Sequence, residues 1–200
     1  MKKTVLLICA IVAFAGAEAQ SHKIQLGVLG GMDSYFSRPS YNESQYAWST
    51  GVSIQHNLKK HFSLNYRVLY REERIKQDFT SWWGVFDIGR GEILEKSIVI
   101  PVLAKWTFGQ GKWHWMLDVG IQTQLINHAK WTNDKGFSYL RKRNDVLLGI
   151  SSGLGVSYDI SEKIAVNTEL RVMDFNSLDE GPLFEDGVNG QLFLGVSYGL

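Results

Sequence analysis

The sequence predicts an all-β fold, an eight-stranded antiparallel up-and-down transmembrane β-barrel with short periplasmic turns and long extracellular loops. Three observations predict it. Apolar and polar residues alternate with period two in eight separate segments, the mark of a strand whose two faces meet different surroundings. The links between these segments are alternately short and long, so every short turn falls at one end of the sheet. The face opposite the apolar one carries Gly, Ser, Asn and Gln with few charges, whereas a soluble sheet would turn Lys, Glu and Thr to water.

The N-terminus precedes the strands. Lys2 and Lys3, the apolar stretch from Thr4 to Phe14 and the pattern Ala17-Glu18-Ala19 read as a secretory signal peptide over residues 1–19, leaving 20–200 as one barrel domain. Cys9, the only cysteine, follows Leu6-Leu7-Ile8, but bulky Ile8 stands where a lipoprotein box needs a small residue. Removing Lys2, Lys3 and Glu18 from 21 basic and 20 acidic side chains leaves a mature chain with no formal net charge and no thiol. Disulfides are excluded, so stability must come from packing or from a closed hydrogen-bonded architecture.

The strands follow in order. Ile24, Leu26 and Val28 alternate with Gln25 and Gly27, and Trp48, Thr50, Val52 and Ile54 with Ser49, Gly51, Ser53 and Gln55. Phe62, Leu64, Tyr66, Val68 and Tyr70 oppose Ser63, Asn65, Arg67 and Arg71. Ile98 to Trp106 and Trp113 to Gln122 repeat the pattern, with Pro101, Lys105, Asp118 and Gly120 on the second face. Leu148 to Tyr158, Ile164 to Val172 and Leu192 to Leu200 complete the set. The short links are Asn57 to His61, Gly109 to Lys112 and Asp159 to Lys163. The long ones are Ser34 to Tyr46, Glu73 to Glu95, Asn127 to Asn144 and Asn176 to Val188. Pro101 lacks a ladder donor in mid-strand and calls for a bulge or a water.

Composition agrees with a barrel. With 44% hydrophobic and 20% charged residues and a net charge of +1, the chain is neither disordered nor a basic nucleic-acid binder. No mature apolar run approaches the roughly 20 residues of a membrane helix. Eight strands enclose a space just wide enough for side chains to fill, which accounts for many of the 20 glycines. Outside, Phe62, Trp106, Trp113, Trp115 and Tyr158 cluster near the short turns as an aromatic girdle, and Tyr35, Trp48, Tyr70, Trp131 and Phe175 lie toward the long loops as a second.

Several stretches resemble a known family. The strand Ile24-Gln25-Leu26-Gly27-Val28-Leu29-Gly30-Gly31, the turn from Asn57 to Phe62, the proline-bearing strand Ile98 to Trp106 and the ending Phe193 to Tyr198 are similar to the small outer-membrane β-barrel domains of Bacteroidetes (PorT-like), and more loosely to OmpA and OmpX barrels. The resemblance covers essentially all of the mature chain and is one of pattern, its most particular element being Ile98-Val99-Ile100-Pro101. It implies the fold and the bacterial outer membrane, not an activity.

The candidate site residues are few. Arg67, Arg71, Lys105, Asp118, Glu169 and Arg171 all fall on the inward face, where charges are tolerable only when paired, so an interior network plugging the lumen is expected. Trp82, Trp83 and Phe86, close to Arg71 and Arg74, form an aromatic cluster in the second long link, of the kind that recognition surfaces favour. His128 with Asp134 and Ser138 would be needed at the outer rim for an acyl-transfer site, and His56 lies at the wrong leaflet for a deacylase. Neither group reads as catalytic. No spacing suits a metal or a cofactor. The expected protein is therefore non-enzymatic, a structural or surface-interaction component of the envelope. Its expected partners are outer-membrane lipid, the barrel assembly machinery during biogenesis and an envelope complex or surface ligand, with no nucleic acid.

Overall fold

The computed structural model describes residues 23–35, 42–80, 87–133, 136, 138–177 and 189–200. Residues 1–19, expected as a signal peptide and including Cys9, lie outside the described residues. Eight strands follow in chain order: β1 (Ile24–Tyr35), β2 (Asn42–Lys59), β3 (Phe62–Thr80), β4 (Asp87–Gln110), β5 (Trp113–Asn133), β6 (Ser138–Asp159), β7 (Ile164–Ser177) and β8 (Asn189–Gly199). Each pairs antiparallel with the next, and β8 returns to pair with β1, so the sheet is a closed barrel. Closure satisfies the backbone N–H and C=O groups internally, which lipid requires.

The period-two pattern sets the two faces. Val28 lies beside Val52 and Val196, Val52 beside Val68, Ile121 beside Ile150, and Leu154 beside Leu170, so outward side chains join laterally into one apolar band. These residues are open to the surroundings, with 60% exposure at Val28, 68% at Ile121 and 61% at Leu170. In water such a belt would be an aggregation surface. In a bilayer it is the solvated face.

The three short links lie at one end together with the start of β1 and the end of β8. Lys60 and His61 join β2 to β3, and the His61 carbonyl accepts from Thr107 N at 2.9 Å. Gly111 and Lys112 join β4 to β5, with Gly111 at φ +71, a conformation that a side chain strains. Residues 160–163 join β6 to β7, where Ser161 Oγ accepts from Lys163 N at 3.3 Å and Ile164 N at 3.1 Å. Leu200 N donates to the Ile24 carbonyl at 3.0 Å, which ties the chain after β8 to the start of β1.

The far end differs from the sequence expectation. Much of Glu73 to Glu95 and of Asn127 to Asn144, expected as loops, is strand: β3 runs 19 residues, β4 24, β5 21 and β6 22. At about 3.4 Å per residue and a tilt of roughly 40°, β4 stands about 60 Å tall, against about 28 Å for the 11 residues of β8. The lipid band is only about 25 Å. One side of the barrel therefore rises well beyond the membrane. Apolar alternation disappears there because no bilayer imposes an apolar face above the lipid band, while hydrogen-bonded pairing continues. Register shifts at Lys96/Ser97 and Ile126/His128 sit just above the last apolar outward row, Tyr70, Ile98, Leu125 and Val146.

Pro101 also differs. Its β5 neighbour is Gln122, but toward β3 the pairs flanking it, Tyr66 with Val102 and Leu69 with Val99, keep one register while the two rows between them are unpaired. The ladder opens locally, without a bulge, where the donor is missing.

The lumen is filled. Beside the expected small and polar residues it holds an apolar cluster of Leu69, Val99, Met173 and Phe193 packed with Leu29 and Leu147, of which the alternation from Ile98 to Trp106 puts Val99 inward. Large residues fit because glycines stand opposite. A Cβ on Gly31 would lie 2.6 Å from the Phe193 ring, and one on Gly153 would lie 2.9 Å from Asp118 Oδ1.

Candidate functional site

Inward parity on β3, β4, β5 and β7 delivers charged side chains from well-separated parts of the chain to one level of the lumen. Arg67 Nη2 donates to Glu169 Oε1 at 2.8 Å and Oε2 at 2.7 Å, and Arg67 Nε donates to Asn65 Oδ1 at 3.2 Å. Arg171 Nη2 donates to both oxygens of Asp118 at 2.9 Å and to Glu169 Oε2 at 3.3 Å, and its Nη1 to Ser151 Oγ at 3.2 Å. Lys105 Nζ stands 3.8 Å from Glu169 Oε1. Five of the six charges expected on the inward face thus form one connected layer, all of it buried.

Arg71 belongs to a different layer. Its Nε donates to Asp33 Oδ2 at 2.7 Å and its Nη1 lies 2.9 Å from Glu73 Oε2. Leu69, between Arg67 and Arg71 on the inward face of β3, is part of the apolar cluster that separates the layers. Asp33 and Glu73 escaped the sequence reading. Both were within reach of it, because Asp33 shares parity with Leu29 and Gly31, and Glu73 with Arg71.

Burial this deep is tolerable because the charges are paired and bidentate, and removing one partner leaves the other stranded. Gln124 Nε2 donating to Ser97 Oγ at 3.0 Å adds a neutral pair above the apolar cluster. Ion pairs and apolar side chains together fill the middle of the lumen.

Outside, the rings near the short turns meet in pairs. Phe62 and Trp106 lie 5.3 Å apart, and Trp113 and Tyr158 4.7 Å apart, both tilted. Trp115 lies beside Phe108 on the outward face. Toward the opposite end Trp48 and Tyr70 lie 5.5 Å apart. Two belts of rings bound the apolar band, as interfacial aromatics do.

The raised wall carries charge on its surface. Glu72 faces Arg74 at 3.4 Å and Lys96 at 3.8 Å, and Arg74 reaches Glu92 at 3.7 Å. Trp82, Trp83 and Phe86 fall between Thr80 and Asp87, outside the described residues.

The structure does not bring His128 and Ser138 together. His128 is level with Lys142, and Ser138 with Thr132, four residues or about 13 Å farther along the strand. Asp134 lies outside the described residues, and His56 sits near the short-turn end beside Ile24 and Leu64. Among the described residues no group of three His, Cys, Asp or Glu side chains is placed to hold a metal.

Comparison with known proteins follows the geometry. Neisserial surface protein A superposes with a TM-score of 0.51 at 16% identity, covering 88% of this chain and 96% of that one. The outer membrane protein OprG from Pseudomonas aeruginosa gives 0.51 at 13% identity over 92% and 99%. A major outer membrane protein from Thermus thermophilus gives 0.51 at 11% identity over 88% and 99%. At these identities the likeness is one of fold. No curated protein matches the sequence. The family described as outer membrane protein beta-barrel domain matches residues 18–173, and the chain belongs to that family.

Proposed function

We propose that the protein is a non-enzymatic, plugged outer-membrane barrel whose work is contact with other molecules at the cell surface, as a surface-interaction or accessory envelope component. One observation carries this reading. The lumen is filled by two charged layers and an apolar cluster, while β3 to β6 extend far beyond the lipid band. The axis is closed to transport, and the surface free for contact is concentrated on the raised wall. The sequence between β3 and β4, Trp82-Trp83-Gly84-Val85-Phe86, has the aromatic composition that interfaces favour. Export by residues 1–19, a place among the Bacteroidetes PorT-like barrels and delivery by the assembly machinery belong to the same proposal. The Ile98 to Trp106 strand supports the second of these.

The test is crosslinking in native membranes followed by purification, with wild type beside a Trp82→Ala/Trp83→Ala variant. The expected result is a crosslinked partner or retained surface adhesion in the wild type, and its loss in a variant that still folds. A partner held equally by both proteins would move the contact away from Trp82 and Trp83 and overturn this assignment.

A further inference from the structure

The lower charged layer is unbalanced. Arg67, Lys105 and Arg171 bring three positive charges to it, while Asp118 and Glu169 bring two negative ones. The excess gathers at two groups. Arg67 Nη1 is enclosed, and no acceptor among the described residues reaches it. Lys105 Nζ makes no hydrogen bond to a described side chain. Its one ionic partner, Glu169 Oε1 at 3.8 Å, already accepts from Arg67 Nη2 at 2.8 Å. Two cations thus share one carboxylate oxygen. The Lys105 side chain is only 6% exposed and that of Arg67 only 3%.

Both residues border one cavity of about 30 Å³, whose wall also carries the amides of Asn65 and Asn167, the hydroxyls of Ser53 and Ser197 and the carboxylate of Glu169, which Arg67 and Lys105 already hold. That is room for about two water molecules or one ion of chloride size. A second cavity of about 180 Å³ lies toward the short turns, shares Lys105 and Asn167 with the first, and reaches Ser161 to Lys163 at the periplasmic end. An access path therefore leads from the periplasm to Lys105.

We propose that the inner cavity is an anion site, where a small monovalent anion of chloride size, arriving through the lower cavity, binds between Lys105 and Arg67 and balances the lumen. A buried cation without a counter-charge is costly, so an ion fitted to this space stabilises the folded barrel. The surrounding amide and hydroxyl donors complete its coordination. This site is independent of the surface role proposed above. An uncharged Lys105 would balance the layer without any ion, and the experiment separates the two.

The full-length mature barrel, refolded in detergent, is melted in sodium chloride, sodium bromide and sodium gluconate at equal ionic strength. Halide at tenfold excess over its dissociation constant is expected to raise the midpoint by about 3–6 °C, and gluconate, too large for the cavity, is not. Lys105→Met is expected to lose the halide shift and Lys105→Arg to keep it. Crystals of the wild type soaked in bromide give a second readout that needs no variant, an anomalous peak beside Lys105. A wild-type midpoint indifferent to halide with no such peak overturns the proposal, as does a halide shift that Lys105→Met keeps in full.

Discussion

Asp118 and Gly153 show how closely single residues are matched across the lumen. Asp118 holds Arg171 through two 2.9 Å contacts, and only a glycine on β6 leaves room for its carboxylate. Asp118→Ala leaves the buried Arg171 guanidinium only Glu169, which Arg67 and Lys105 also hold, so unfolding from lipid vesicles by denaturant is expected to show a loss of about 3–5 kcal/mol. Adding Arg171→Met should recover much of it, and a double-mutant cycle measures that recovery. Two glycines separate steric from conformational demand. A Cβ on Gly120 would collide with the Val102 carbonyl and stand 2.8 Å from Leu103 Cα, so Gly120→Ala must move backbone. Gly111→Ala meets open space, and its φ of +71 costs about 1–2 kcal/mol. Refolding yields on gels are expected to fall sharply for the first and little for the second.

Among the elements, β5 passes through two environments. Its lower part, from Trp113 to Leu125, alternates between lipid and lumen, while its upper part, beyond the shift at Ile126/His128, stands in the raised wall. An arginine reports which environment a position has. Ile121→Arg, mid-band and 68% exposed to lipid, is expected to cost about 2–4 kcal/mol in vesicle refolding. Thr132→Arg, on the wall, is expected to change stability by less than about 0.5 kcal/mol. Equal costs would mean that the wall is immersed. The period-two pattern revealed the lower part of each strand because lipid imposes it. Above the membrane Glu72, Arg74, Glu92 and Lys96 pair across strands by charge, a signal that sequence periodicity does not register.

For the whole molecule, occlusion is the property with the plainest consequence. Arg67, Arg171 and their carboxylates close one level, Leu69, Val99, Met173 and Phe193 the next, and Arg71 with Asp33 and Glu73 a third. Purified barrel in planar bilayers is therefore expected to give no stable conductance steps. Steady single-channel openings would instead show a continuous aqueous path through the lumen. Closure also makes the lumen cooperative, since Arg67 and Glu169, 102 residues apart, meet only when the cylinder is complete.

The order of residues along the chain by itself determined that there are eight strands, which face of each meets lipid, where the short turns fall and which way six of the eight buried charges point. All of these follow from period two and from what a bilayer tolerates, and both are local. The tertiary structure alone decided which inward charges meet, how they divide into two layers around an apolar cluster, and how far the wall of β3 to β6 rises. Those outcomes depend on strand register and closure, which bring together residues distant in the chain, and on water above the membrane, where no bilayer imposes an apolar face.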